Sequence, residues 1–449
     1  MISKIGLKEQ YTAALRRGTG GRIEFTEQLR HHLGLCDKHG RDYRDAAGNH
    51  RLQNRGVRPE QFSIRDLAEA VIGESWSAWF DPSQMGRLAK FNRQHSMTEN
   101  TQAGRRSLLE AGGAGVDPTS FLNINTFTAL VGGLVEVKIL ESYQNPAFIA
   151  DKIAPAEPTK LSGQKIIGLT QMGDRAKKRL PGQPHERAHF SERWVETPET
   201  EETALAVDVN KETVFSDLTG NILNAAADVG KELGYRKELR VLDVFAGINN
   251  STYKYNGTVY NTYVTSSTLG YLNDFSNPLL DWTSINAVMM KFKDMADPHT
   301  AKRILTQPNL IVCNPGNLAT MQLVLGATST ERRSAPVGFT QSSANSLNIS
   351  STGSNPFNGQ FEVVTSPLLD QRCTDADGLA LSQANADQYF WVLESGKPFR
   401  YMQNYPLTVT PSSPNQYEML DRGIIATYFA NERGIPAVYD PHYIVRSKN

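Results

Sequence analysis

A long helix is predicted by the apolar positions between residues 216 and 247. In "SDLTGNILNAAADVGKELGYRKELRVLDVFAG", apolar residues recur near helical spacing. Ser216 is a candidate N-cap, nothing breaks the pattern before Arg240, and Gly247 suits the left-handed conformation that ends a helix. At 1.5 Å per residue, about 30 residues make a rod of about 45 Å, well beyond the usual helix of about 11 to 12 residues.

A two-armed segment precedes this helix, over residues 161–209. Its outgoing arm is "KLSGQKIIGLT", and in its returning arm, "TALAVDVN", Leu205, Val207 and Val209 alternate with smaller or polar residues as in a half-buried strand. The residues between the arms, "QMGDRAKKRLPGQPHERA", are rich in glycine, proline and charge and predict a turn. With about 20 residues per arm at about 3.3 Å per residue, an extended hairpin reaches roughly 65 Å, far beyond the radius of gyration of about 15 Å of a 150-residue domain.

Two interpretations of this hairpin stay open. If it is extended, it leaves its own domain, and because an isolated ribbon is marginal in water we expect it to lie on another subunit. Alternatively, it folds back as an ordinary sheet edge. We predict that four cations at the tip form salt bridges with acidic groups of a neighbouring subunit; the alternative is a solvated tip, whose ion pairs contribute about 0 to 1 kcal/mol each. These cations are Arg175, Lys177, Lys178 and Arg179.

The first 118 residues differ from the rest, because they mix both charge signs in a helical-looking pattern and hold five of the nine histidines. The clearest helix there is "SIRDLAEAVIGESWSAWF", which Ser63 can cap. The stretch "EAGGAGVDPTS" then predicts a linker or turn, and a helix-like stretch follows it through Leu140.

Composition narrows the class of protein. A chain of 449 residues with 39% apolar and 21% charged residues is long enough for two or three globular domains. Its 47 basic residues balance 47 acidic ones, so no net field draws the whole molecule to nucleic acid or to a membrane. Cys36, Cys313 and Cys373 are odd in number and far apart, which fits a reducing compartment, and no segment has the pattern of a signal peptide or a membrane span.

One enzyme class has partial sequence support. "RVLDVFAGINN" is similar to the first motif of S-adenosylmethionine-dependent methyltransferases, and "LIVCNPGN" to the motif with which amino-methyltransferases hold a flipped base. Asn249 stands where the first motif needs its second glycine, and Gly316 and Asn317 replace the second proline and the aromatic residue of the other. If this alternative held, the chain would bind S-adenosylmethionine and lose that binding when Asp243 is changed.

Metal and catalytic patterns give no further candidate. His31, His32, Cys36 and His39 match no common zinc-finger spacing and favour solvated surface histidines. "CTDADG" has parts of a calcium loop, but Ala384 stands where a bidentate Glu is needed, seven positions after Asp377. We therefore expect no metal, no cofactor, no catalytic residue and no enzymatic activity.

From about residue 120 onward, the order of elements resembles the major capsid protein of tailed bacteriophages, which has the Hong Kong 97-type fold. "TKLSGQKIIGL" through "TALAVDVN" looks like its extended loop, and the long helix looks like its spine helix. "LIVCNPGNLATMQLVLG" and "NGQFEVVTSPLLD" are similar to its axial domain, and "RGIIATYFANERGIPAVYDPHYIVR" to the closing strands of its peripheral domain. The resemblance implies an α+β fold and covers about three quarters of the chain.

The resemblance also implies a domain assignment. Residues 1–118 form an N-terminal helical arm outside the resemblance, which we expect to be retained rather than removed as a scaffold segment. The other assigned parts are the start of the peripheral domain (119–157), the extended loop (158–204), the spine helix region (205–247), the axial domain (248–395) and the closing strands (396–449).

The function implied is structural. Copies would form the hexamers and pentamers of an icosahedral shell around packaged double-stranded DNA, which would touch the inner face without sequence specificity. Further partners would be portal, scaffold or decoration proteins, with no membrane, and the protein would be a virion component assembled in the host cytoplasm. An encapsulin-like cellular compartment shell with the same fold is the alternative. Covalent cross-linking between subunits, known in some relatives, is not carried over because no acid catalyst for it is evident.

Overall fold

The computed structural model describes residues 27–37, 41–44, 51–53, 118–145, 147–169, 181, 192–210, 212, 214, 221–299, 301–334, 349–374, 389–412 and 421–448. Helices and strands are both abundant in these ranges, which confirms the predicted α+β class. Several sequence predictions lie outside the described residues: the helix capped by Ser63, the N-cap Ser216, the cations Arg175, Lys177, Lys178 and Arg179, and the Asp377 loop with Ala384.

The helices with defined bounds are α1 (Pro118–Tyr143), α2 (Ala150–Ile153), α3 (Asn221–Ala246), α4 (Trp282–Asp294), α5 (Pro315–Gly326) and α6 (Pro367–Thr374). The strands are β1 (Ala156–Pro158), β2 (Lys165–Leu169), β3 (Glu192–Glu196), β4 (Glu201–Asn210), β5 (Tyr253–Tyr255), β6 (Thr258–Tyr260), β7 (Asp274–Ser276), β8 (Leu310–Cys313), β9 (Ser329–Ser334), β10 (Ile349–Ser354), β11 (Glu362–Val364), β12 (Phe390–Leu393), β13 (Phe399–Ser412), β14 (Ile424–Val438) and β15 (Ile444–Lys448).

Four sheets are formed by these strands. Their orders are β1-β13-β14-β4, β10-β9, β11-β8-β12-β15-β7 and β2-β3-β5-β6. The last sheet is antiparallel throughout, whereas the five-stranded sheet is mixed, because β11 pairs with β8 and β7 pairs with β15 in parallel.

The chain divides into two compact units. The first comprises Met1–Pro146, Glu201–Arg236 and Tyr405–Gly434, and the second comprises Ala147–Thr200, Lys237–Asn404 and Ile435–Asn449. The finer six-part domain assignment made from the sequence stays a prediction.

In the first unit, α1 and the first part of α3 touch backbone to backbone. A Cβ added to Gly230 would lie 2.2 Å from the carbonyl oxygen of Ile139, so only glycine permits this approach. Nearby, the hydroxyl of Tyr143 donates a hydrogen bond to Glu432 Oε2 over 2.6 Å. The absence of a side chain at Gly230 therefore allows the close contact between α1 and α3.

The second unit has its core around the five-stranded sheet. Every residue of β8 and of β12 is buried. The Trp391 ring on β12 lies 5.1 Å from the Phe245 ring, which lies 5.8 Å from the Phe399 ring, measured between centroids. Strands buried on both faces read as continuous apolar runs, as "LIVC" and "FWVL" do.

The predicted end of the long helix is confirmed. Helix α3 ends at Ala246, and Gly247 adopts a left-handed φ of 80° while the amide of Ile248 donates to the carbonyl of Asp243 over 3.1 Å. The 26 described residues of α3 span about 39 Å. "LDVFAG" is thus the last part of a helix, and the glycine turn of a cofactor-binding motif is wrong for these residues.

The segment "LIVCNPGNLATMQLVLG" folds as a strand, a turn and a helix. Strand β8 ends at Cys313, Asn314 is extended, and Pro315 occupies the first turn of α5, where its missing N–H costs no hydrogen bond.

The hairpin differs from its prediction. Strand β2 pairs with β3 in antiparallel register over five residues each, and β3 continues the sheet to β5. The returning strand β4 pairs instead with β14 over ten residues, and its buried Val207 and Val209 alternate with exposed neighbours. The interpretation as a single ribbon is therefore wrong only for the last part of the returning arm, because β4 forms a longer ladder with a strand more than 200 positions away and lies at the edge of that sheet, whereas β3 of the same arm pairs with the outgoing arm.

Candidate functional site

The sheet β2-β3-β5-β6 forms the base of the hairpin and presents an apolar stripe to solvent. In its register, Ile167 lies opposite Trp194, Glu196 lies opposite Lys254, and Lys254 lies opposite Val259. Because side chains alternate between faces, Ile167, Trp194 and Val259 share one face. Ile167 is 69% exposed and Val259 is 50% exposed, and exposed apolar positions grouped on one face are typical of a protein–protein contact.

Charged groups share this face with the apolar ones. Lys165 Nζ lies 3.1 Å from Glu196 Oε1 and 5.7 Å from the centroid of the Trp194 ring, so the lysine covers one side of the indole. Glu196 and Lys254 lie between Val259 and the Ile167–Trp194 pair, so the stripe mixes exposed apolar side chains with charged ones.

Hydrogen bonds fix the strands that carry the stripe. The amide of Trp194 donates to Asn256 Oδ1 and the amide of Asn256 donates to the Trp194 carbonyl, both over 3.0 Å. Asn256 and Gly257 both have positive φ, as a two-residue hairpin turn requires. The turn between β5 and β6 is thus tied to β3.

A second set of bonds ties the outgoing chain to the returning chain. Thr159 Oγ1 donates to Gln164 Oε1 over 2.6 Å, and Thr197 Oγ1 donates to the Gln164 carbonyl over 3.0 Å. The amide of Thr200 donates to Ser162 Oγ over 3.1 Å. The described part of the hairpin is therefore tied together at its base.

Asp243, the residue on which the methyltransferase alternative depends, is engaged in a salt bridge. Its carboxylate accepts from Arg372 Nε over 2.6 Å and from Arg372 Nη2 over 3.0 Å, with both side chains largely buried. Asp243 lies within α3 rather than at the end of a strand, so its carboxylate is used to hold α6.

The C-terminal strand is held by a buried ion cluster. Arg446 donates to both carboxylate oxygens of Asp274, over 3.1 and 2.9 Å, and to the carbonyl of Ala246, while Lys448 donates to Asp274 over 3.0 Å. Burial opposes ionisation of Asp274, but the hydrogen bonds from Arg446 and Lys448 outweigh it and hold the pKa of Asp274 below its ordinary value.

Glu238 joins α3 to the short helix α2. It is fully buried and accepts from the amide of Ile149 over 3.0 Å and from the amide of Ala150 over 2.8 Å. Beside it, Lys237 donates to Asp151 over 2.8 Å. The carboxylate satisfies N–H groups at the start of α2, which no residue of α2 itself could do.

Sequence reasoning missed Glu238 and Asn256. Nothing in "KELGYRKELR" distinguishes the buried Glu238 from the exposed Glu232 six residues earlier. The dipeptide Asn256-Gly257 between short runs containing tyrosine, in contrast, is a strong hairpin signal that could have located the turn.

The metal-ligand candidates are not brought together in the described part of the chain. The rings of His31 and His32 lie 5.7 Å apart, Cys36 is buried, and His39 lies outside the described residues. No group of three or more potential metal ligands occurs among the described residues.

Two of the three free cysteines lie in the second unit. Cys313 and Cys373 are both buried, and burial raises the pKa of each thiol to about 12. Within the same described ranges, no helix is both long and apolar enough to cross a membrane.

Comparison with known proteins identifies the class. The family model described as phage capsid protein matches residues 195–441, more than half of the chain. This match assigns the chain to the class of structural proteins that form viral shells. The chain belongs to the phage capsid protein family, so the resemblance to a tailed-phage major capsid protein with the Hong Kong 97-type fold is confirmed, and the protein is a virion component.

Solved structures similar to this chain include two from phages and one of an encapsulin complex. A structure from Mycobacterium phage Bobi is 11% identical, covers 69% of this chain and 89% of that chain, and has a TM-score of 0.35. The capsid of cyanophage P-SCSP1u is 10% identical, with coverages of 66% and 86% and a TM-score of 0.39. The holo-SrpI encapsulin complex from Synechococcus elongatus is 11% identical, with coverages of 68% and 87% and a TM-score of 0.35. No curated protein matches the sequence.

Proposed function

We propose that copies of this capsid protein form hexamers and pentamers that close into an icosahedral shell around packaged double-stranded DNA. The observation that carries the proposal is the family match over residues 195–441. The braced, apolar stripe of the hairpin base supports it, because Ile167 and Val259 gain a partner surface only when another molecule covers them.

The proposal also assigns a role in the shell to each part of the chain. Residues 158–204 act as the extended loop, with Arg175, Lys177, Lys178 and Arg179 as cross-subunit salt-bridge donors. Residues 205–247 form the spine helix region, residues 248–395 the axial domain, and residues 119–157 with 396–449 the peripheral domain. Residues 1–118 are a retained arm. The shell assembles in the host cytoplasm with portal, scaffold or decoration proteins, and the chain has a structural rather than a catalytic role.

The content of the particle separates this proposal from an encapsulin-like compartment. Particles purified from cells that express the whole phage gene set are treated with nuclease, and the protected nucleic acid and the protein composition are measured. The proposal expects protected double-stranded DNA of uniform length. Particles that hold a single cargo protein and no protected DNA would support the compartment instead.

The methyltransferase alternative is tested by calorimetric titration of the purified chain with S-adenosylmethionine. We expect no binding heat, because Asp243 is bonded to Arg372. Binding that disappears in Asp243→Asn would overturn the structural role.

Variants of the stripe test whether the hairpin base is a subunit contact. Ile167→Asp places a charge at the most exposed apolar position of the stripe, so we expect unassembled subunits with unchanged circular dichroism, whereas the conservative Ile167→Val assembles normally. Normal shells from Ile167→Asp would exclude the stripe from the interface. Reversal of the four tip cations to Glu is expected to weaken assembly most at low salt, where charge pairs are least screened.

A further inference from the structure

A folded part of the N-terminal region lies against helix α1 in the first unit. We define the N-terminal strap as residues 27–37 and 41–44. Its first residues are helical, an antiparallel bridge joins Cys36 to Asp42, and the amide of Tyr43 donates to the Leu35 carbonyl over 3.1 Å. Leu33 and Leu35 are buried, so the strap is packed by apolar contact as well as by hydrogen bonds.

Charged side chains of the strap surround one acidic residue of α1. Arg30 Nη2 lies 3.8 Å from Glu136 Oε2 and 3.1 Å from Asp42 Oδ1, and Arg44 lies 3.6 Å from Asp42. The Glu136 side chain is 18% exposed and that of Arg30 is 40% exposed, so the carboxylate is the enclosed member of the pair. The stem of Arg30 passes over Gly133, where an added Cβ would lie 3.8 Å from Arg30 Cγ.

A cavity of about 540 Å³ adjoins this cluster. It is lined by strap residues, by α1 residues that include Glu136, and by β13 and β14 residues that include Thr408 and Tyr428. Glu27 is the remaining charged residue at its wall. The charged groups that act on Glu136 are thus Arg30, Asp42 and Arg44 from the strap, while Glu27 and Tyr428 are the other titratable residues at the cavity wall. The cavity gives the carboxyl a route for proton exchange that needs no unfolding.

We propose that the N-terminal strap is a proton-coupled element that docks on α1 more tightly as the pH falls. Docking covers the Glu136 carboxyl, so the docked state favours its protonated form. A neutral Glu136 removes the cost of holding a buried negative charge beside Asp42, while Arg30 keeps its bond to Asp42.

The electrostatics agree with this geometry. Burial is the largest influence on Glu136 and raises its pKa to about 7, against the opposing attraction of Arg30. When the strap leaves, Glu136 loses the attraction of Arg30 and the part of its burial that the strap supplies, and because burial is the larger influence we expect its pKa to fall toward its ordinary value of 4.5. The docked state therefore binds more protons than the undocked state between these two values, and docking weakens as the pH rises through about 7.

The size of the effect follows from linkage. If the pKa moves fully from about 7 to 4.5, the docking equilibrium constant increases about 20-fold from about pH 7.5 to about pH 5.5. An effect of this size makes the strap dock more tightly in mild acid than at neutral pH. This inference concerns a single subunit and does not depend on the shell proposed above.

Hydrogen exchange on the purified full-length chain tests the proposal. Protection factors, which correct for the intrinsic pH dependence of exchange, are measured for the amides of Leu33 and Leu35, since both donate within the strap. We expect protection to rise several-fold to about 20-fold from about pH 7.5 to about pH 5.5. Amides of β12 in the second unit serve as the reference and should change little.

Two variants complete the test. Glu136→Gln keeps the shape but has no titrating proton, so strap protection should be high and the same at both pH values. Glu141→Gln, on the same helix but exposed, should behave as the wild type. Strap protection in the wild type that does not change with pH would overturn the proposal whatever the variants do, and a persistent pH dependence in Glu136→Gln would overturn the role of this residue.

Discussion

Replacement of Glu238 by alanine should destabilise the second unit, because this side chain is the buried acceptor for the start of α2. The carboxylate receives the amides of Ile149 and Ala150 over 3.0 and 2.8 Å. A buried N–H that loses its acceptor costs about 1 to 3 kcal/mol. Two unsatisfied N–H groups would therefore lower the free energy of unfolding by about 2 to 6 kcal/mol if nothing offset this cost.

Part of this cost is offset in the variant. Burial raises the pKa of Glu238, and the two amide hydrogen bonds only partly oppose this effect, so the charged form of Glu238 is destabilised in the native protein. Removing the carboxyl recovers that desolvation energy, so we expect a net loss of about 2 to 4 kcal/mol in the free energy of unfolding.

Urea denaturation followed by tryptophan fluorescence measures this loss. Trp391 lies fully buried in the core of the second unit and contributes to this signal together with the four other tryptophans. The midpoint should fall at an unchanged slope, since the surface exposed on unfolding stays the same. Glu238→Gln keeps an acceptor oxygen and should lose much less. Because the raised pKa of Glu238 makes the wild type lose stability as the pH rises above the ordinary glutamate range, the Gln variant should also depend less on pH.

Glu232→Ala is the matched control. It removes the same side chain from the same helix at an exposed position and should change stability by no more than about 0.5 kcal/mol. If Glu238→Ala proved as mild as Glu232→Ala, the buried cap would have no energetic role and the reasoning would fail.

Two further substitutions have defined outcomes. Gly230→Ala forces a Cβ to 2.2 Å from the Ile139 carbonyl oxygen. Although alanine has the better helix propensity, we expect the free energy of unfolding, measured by thermal denaturation, to fall by about 1 to 2 kcal/mol. A more stable variant would show that the two helices can separate freely. Asp243→Leu leaves the Arg372 guanidinium without its carboxylate and should lower the free energy of unfolding by about 3 kcal/mol. The double variant Asp243→Leu with Arg372→Met should recover most of this loss. Additive losses in the double variant would contradict this expectation.

Elements whose signals are local were predictable from the sequence. Gly247 ends α3 because its conformation is left-handed, and Pro315 begins α5 because a first-turn proline loses nothing. Both signals act within a few residues of the boundary they set, so they can be read without knowledge of the rest of the fold.

Long-range pairings were not predictable. Strand β4 has the alternation of a half-buried strand, but that pattern does not say whether its partner is the outgoing arm or β14. The burial of Glu238 and the Arg30 contact with Glu136 depend on segments about 90 and about 100 positions away. The solvated histidines expected in the N-terminal region likewise gave no sign that Leu33 beside them is buried.

Electron microscopy of the purified full-length protein shows whether this chain forms a closed shell. We expect regular closed particles in which image reconstruction resolves both sixfold and fivefold clusters of subunits. A monodisperse monomer or dimer that forms no particles at high protein concentration, with or without a co-expressed scaffold, would contradict it.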